Sequence, residues 1–102
     1  MVSKKLRVVV DEEATKYLRE AYLYIRKDSL QNANKVRSKI LATIKDLADN
    51  QQQHAPDKYR IDNKNGFYRA YEIYKYRVTY HLSEDEIRII RIRHTKMNPF
   101  KY

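Results

Sequence analysis

Residues 76–94 read YRVTYHLSEDEIRIIRIRH, and the spacing of their apolar positions decides the fold. Tyr76, Val78, Tyr80 and Leu82 alternate with Arg77, Thr79 and His81, the period of a strand with one covered face and one exposed face. Ser83-Glu84-Asp85-Glu86 is a polar turn, and Ile87 to His94 predicts the next strand. There strict alternation fails, because Ile87 and Ile89 share parity with Arg91 and Arg93, whereas Ile90 and Ile92 share it with Arg88 and His94. A bulge, or a strand buried on both faces in its first half, reconciles the pattern, and Arg93 is the arginine expected beside Arg77. A preceding strand, Phe67 to Ile73, follows the Asn65-Gly66 turn and joins Tyr76 to Leu82 through Tyr74-Lys75. The last third is thus an antiparallel meander.

Upstream the pattern changes. The segment NQQQHAPD, residues 50–57, has no apolar period and carries Pro56, which biases Ala55 away from helical geometry, so a surface loop is expected. Before it, Ala33, Val36, Ile40, Leu41, Ile44, Leu47 and Ala48 form a helical stripe behind Ser29, a good N-cap. Ala14, Tyr17, Leu18, Ala21, Tyr24 and Ile25 form another behind Asp11, with Glu12 and Glu13 suited to a first helical turn. Two helices joined so tightly near Asp28 should form an antiparallel hairpin. Lys5 to Val10 reads as a short strand. The expected architecture is α+β: an N-terminal strand, then an α-helical hairpin packed on one face of a C-terminal antiparallel β-sheet whose other face is open.

A chain of 102 residues suffices for one compact domain, expected to span 1–102, and 42% hydrophobic residues can form its core. No cysteine is available for a disulfide or thiolate metal site, and no apolar run approaches a signal peptide or membrane span, so the cytoplasm is favoured. The net charge of +9 points to a polyanionic or acidic partner, although charge alone serves solubility equally well. Position adds to the sum. The last third holds Arg69, Lys75, Arg77, Arg88, Arg91, Arg93, Lys96 and Lys101 against Glu72, Glu84, Asp85 and Glu86, and three of those acids fall in one turn.

If Val78 and Tyr80 face the helices, Arg77 sits at the centre of the open sheet face. Its planar fork binds phosphate bidentately, and neighbouring tyrosines can stack on bases, a mixture suited to a single-stranded polynucleotide. The same residues also make an ordinary solvated sheet face. His94 titrates near neutrality and is the natural candidate for proton transfer, with Tyr102 a second donor. Glu72 could act as a base, or simply close a cross-strand ion pair. No metal-ligand spacing, Gly-rich phosphate loop or nucleophile motif is present, and no cofactor is implied.

The run YRAYEIYKYRVTYHLSEDEIRIIRIRHTKMNP, Tyr68 to Pro99, resembles the C-terminal half of RelE/ParE-type toxins. The features that carry the likeness are an aromatic-basic strand, the Tyr76-Arg77 pair with Tyr80 three residues on, an acidic turn, and an isoleucine-rich strand ending in Arg93-His94. The closing HTKMNP is similar to the variant labelled plasmid-stabilisation proteins. The resemblance implies the toxin of a type II toxin–antitoxin pair, neutralised by a small antitoxin. Family members divide between ribosome-dependent mRNA endonucleases and poisons of DNA gyrase. In the first branch, which is the expectation here, basic strand residues stabilise the scissile phosphate while the RNA 2′-hydroxyl attacks. Arg69 and Arg77 match two such positions, and a C-terminal tyrosine like Tyr102 serves as acid or stacking group. The set expected at the site is therefore Arg77, Arg69, Arg93, His94, Tyr102 and Glu72, with ribosome and mRNA as partners or, alternatively, gyrase. Tyr71 stands where a second strand lysine is common, leaving the base among Glu72, His81 and His94. Gyrase poisons generally lack so complete a set but keep the arginine of the pair.

Overall fold

In the computed structural model, which describes residues 6–50, 54–59, 63 and 66–96, the segments of period two are strands and those of helical period are helices. The order is β1 (Arg7–Val10), α1 (Glu12–Arg26), α2 (Leu30–Asp46), β2 (Tyr68–Ile73), β3 (Tyr76–Leu82) and β4 (Glu86–His94). The strands form one sheet in the order β1-β4-β3-β2. The last three pair antiparallel, as the meander requires, while β1 lies parallel to β4, so the whole sheet is mixed.

Asp11 occupies the N-cap position of α1, but its carboxylate makes no cap hydrogen bond and instead accepts from Arg88 Nη1 at 2.6 Å. Glu12 and Glu13 supply the negative charge that the first turn favours. Ser29 does cap α2, its Oγ accepting from the Asn32 N–H at 3.0 Å. Leu18 of α1 and Val36, Ile40, Ile44 and Leu47, on α2 and its C-cap, pack against Tyr76, Val78, Tyr80, Ile87, Ile89 and Ile92 of the sheet. Tyr24 and Leu41, expected in the two stripes, are 68% and 44% exposed, because both stand at the margins of those stripes.

Tyr74 and Lys75 turn β2 into β3 with φ of 50° and 68°, the positive pair that a tight two-residue hairpin demands. In β4 the parity conflict is resolved by a bulge. Tyr80 pairs with Ile89 and Thr79 with Arg91, leaving Ile90 as the extra residue. Ile87, Ile89 and Ile92 consequently reach the core, and Arg88, Arg91 and Arg93 share the opposite face with Arg77.

The segment read as a surface loop does more than connect. Residues 54–59 form a strap around the edge of β2: the Ala70 N–H donates to Ala55 O, Pro56 bridges Arg69, and the Asp57 N–H donates to Tyr68 O at 2.8 Å. At its start His54 stacks on Tyr71, whose register partner Val78 faces the helices; at its end Asp57 and Tyr59 lie on the far face. Gly66, with φ of 68°, lets the returning chain pass close to the Pro56 ring. The far face is therefore not open around Arg77. Arg77, Thr79, Arg93 and Asp57 are 7%, 3%, 5% and 6% exposed, a correction to the sequence expectation.

Candidate functional site

Arg77 and Arg93 are direct cross-strand neighbours, two guanidinium groups on the same covered patch of the far face. Two carboxylates divide the Arg77 fork. Nη2 donates to Asp57 Oδ1 at 2.8 Å, and Nη1 to Glu72 Oε2 at 3.1 Å. Asp57 is buried, whereas the Glu72 side chain is half exposed, so the arrangement runs from the interior to the rim. The Tyr59 N–H holds Asp57 Oδ1 from behind at 3.0 Å, and the Tyr59 ring lies over both arginines, 4.8 Å from Arg77 and 5.5 Å from Arg93. Burial, reinforced by the positive charge of Arg77, pulls the pKa of Arg93 below its ordinary value.

Strand register distributes the remaining predicted residues differently. Glu72 faces Arg77 directly and closes the cross-strand ion pair that was one of its two expected roles. Arg69 pairs with Tyr80 and so lies on the helix side of the sheet, its Nη1 donating to His54 O at 2.6 Å beneath the strap. It shares no face with Arg77. His94 pairs with Tyr76, also on the helix side, and its Nδ1 accepts the Lys96 N–H at 3.1 Å. With Tyr17, Tyr24, Tyr76 and Lys96 it lines a cleft of about 500 Å³ between α1 and the strand ends. Tyr102 lies outside the described residues. His81 sits on the far face against the Tyr68 ring, with centroids 4.7 Å apart. The three residues brought together are Arg77, Arg93 and Glu72.

Asp57 and Tyr59 complete the cluster, and sequence reasoning missed both. They belong to a stretch with no period, and the signal that could have found them was indirect: two inward arginines on a covered strand face require a carboxylate from elsewhere. On the helix side, burial raises Tyr71 and Tyr80 to about 12, so both remain protonated hydroxyls at neutral pH. Thr43 and Tyr71 share a hydrogen bond of 2.9 Å, tying α2 to β2. Among the described residues no group of three His, Asp or Glu side chains could hold a metal ion.

Comparison with protein families finds that residues 8–99 match the model described as ParE toxin of type II toxin-antitoxin system, parDE. The chain belongs to the ParE toxin family. Among solved structures, this ParE-family fold is similar to a chain of the chromosomal ParDE TA system from P. aeruginosa, with a TM-score of 0.71 and 21% identity, covering 90% of this chain and 98% of that one. No curated protein matches the sequence. Among the described residues no helix is long and apolar enough to cross a membrane.

Proposed function

We propose that this ParE-family toxin acts by binding DNA gyrase and blocking its reaction, rather than by cutting mRNA on the ribosome, and that a cognate antitoxin neutralises it. The observation that carries this reading is the engagement of Arg77. A ribonuclease needs its phosphate-binding arginine open to the scissile phosphate, with an acid and a base on the same face. Here the fork of Arg77 is filled by Asp57 and Glu72 beneath the strap, while His94 and Arg69 lie on the other side of the sheet. A protein that inhibits by surface complementarity needs no such constellation. Membership in a family whose toxins usually target gyrase supports the same choice. A gyrase target places the toxin in the cytoplasm, in keeping with a cysteine-free sequence.

The test has two arms. Purified toxin added to gyrase and relaxed plasmid, with no ribosomes present, is expected to block supercoiling, and the cognate antitoxin is expected to restore it. Induction in cells followed by mapping of RNA ends is expected to leave transcripts intact. Cleaved transcripts together with unimpeded supercoiling would overturn the proposal and return the toxin to the ribonuclease branch.

A further inference from the structure

We propose that the cleft between α1 and the strand ends is the surface through which the toxin docks on gyrase, receiving a large apolar side chain of the enzyme flanked by carboxylates. The inference rests on the gyrase reading and adds where on the toxin the contact is made. Inhibition by surface complementarity needs an anchor, and the filled fork of Arg77 offers none. His94, singled out by the sequence for proton transfer, lies at this cleft instead. Tyr17, Ala21, Tyr24, Tyr76, Ile92 and His94 give it mainly apolar walls, and a volume of about 500 Å³ is ample for a large side chain.

The surroundings of the mouth are those of a protein interface. Six large hydrophobic side chains are exposed among the described residues, and four of them, Leu23, Tyr24, Leu30 and Tyr74, belong to this end of the molecule, where the α1–α2 connection meets the β2–β3 turn. Exposed apolar groups gathered in one place mark a contact surface, and tyrosine supplies anchoring area at little entropic cost. Cations alternate with these rings: Lys27 Nζ lies 5.9 Å from the Tyr24 ring, Lys35 Nζ lies 5.8 Å from the Tyr74 ring, and Lys96 lines the cleft itself. None of the three lysines has an ion-pair partner among the described residues, and Glu20 is the only acid in the lining. Because Nδ1 of His94 accepts the Lys96 N–H, the neutral ring carries its proton on Nε2, a donor suited to a carboxylate. The complement to such a surface is an apolar side chain with acidic neighbours.

Binding of the full-chain toxin to immobilised gyrase, read beside inhibition of supercoiling, tests it. Tyr24→Ala and Lys96→Glu change exposed side chains and leave the core intact. Each is expected to weaken gyrase binding about tenfold and to raise the toxin needed to block supercoiling in proportion. Phe67→Ala removes another exposed ring, before the opposite end of β2, and is expected to change neither. If either cleft variant keeps wild-type affinity for gyrase, or Phe67→Ala loses as much, the surface is overturned while gyrase stands as the target. Loss of antitoxin binding with gyrase binding intact also overturns it and gives the cleft to the antitoxin. A wild-type toxin that does not bind gyrase sinks the target and the surface with it.

Discussion

Removing the Arg77 guanidinium would leave Asp57, 6% exposed, as a buried carboxylate without its hydrogen-bonded ion-pair partner. Breaking one side of a buried ion pair costs about 3–5 kcal/mol, a large share of the ~5–15 kcal/mol that holds a domain together. Arg77→Ala is therefore expected to lower the urea midpoint sharply; stability within about 1 kcal/mol of wild type would contradict the buried pairing. Loss of toxicity in that variant would then report folding, and could not by itself assign Arg77 a role in chemistry. His54 offers a second handle. Burial pulls its pKa below the usual 6.5, against an opposing pull from Asp46, so the unfolded chain takes up the proton first as pH falls. The contribution of neutral His54 is complete above the unfolded pKa, declines as pH drops through it, and stops declining once the folded form also protonates. His54→Phe keeps a ring to stack on Tyr71 and removes the proton uptake. Between about pH 7.5 and 5 the wild type should lose more stability than this variant, and equal losses in parallel urea titrations would sink the assignment. The residue scale was also where the sequence was least legible. Arg77 follows from alternation and Arg93 from the choice made where alternation fails, but Asp57 reaches them through a chain reversal that no local period announces.

At the scale of elements far more was readable, because period and capping are local properties. Both helices, the hairpin between them and all four strands follow from residue spacing, with boundaries shifted by a residue or two where ends fray or lie outside the described segment. Even the parity conflict in β4 was informative: it asked for a bulge or for a stretch buried on both faces, and the register shows a bulge at Ile90. What spacing could not supply was the parallel pairing of β1 with β4, set by tertiary packing between segments some 80 residues apart. Two elements give quantitative expectations. Ser29→Ala removes the side-chain cap of α2 and should cost about 1 kcal/mol, lowering Tm by roughly 4–8 °C. Lys75 is held at φ of 68°, a conformation that costs an ordinary residue about 1–2 kcal/mol and glycine far less. Lys75→Gly should accordingly raise stability by about 1 kcal/mol despite the greater entropy of the unfolded glycine chain; a lower Tm would show that the turn is not strained.

Across the whole molecule, part of the charge that the sequence concentrates in the C-terminal strands is paired with acids there. Arg77 is shared by Asp57 and Glu72, and Arg88 by Asp11 at 2.6 Å and Glu86 at 3.3 Å. The positive charge left facing solvent is prominent instead on α2, where Lys35, Arg37, Lys39 and Lys45 are exposed and Asp46 is the sole acid. Long-range attraction acts through exposed, uncompensated charge and is screened within about 8–10 Å at physiological salt, so α2 and not the sheet should steer an acidic partner toward the toxin. Steering alters association rates far more than dissociation rates. With the cognate antitoxin as the partner, the double variant Lys39→Glu/Lys45→Glu is expected to slow association about tenfold at low ionic strength, with dissociation nearly unchanged, and the difference should shrink as salt rises. Arg88→Gln, which removes a charge already paired twice, should change the association rate much less. Stopped-flow mixing of toxin and antitoxin across a salt series measures both; a larger effect from Arg88 than from the α2 lysines would return the electrostatic footprint to the sheet.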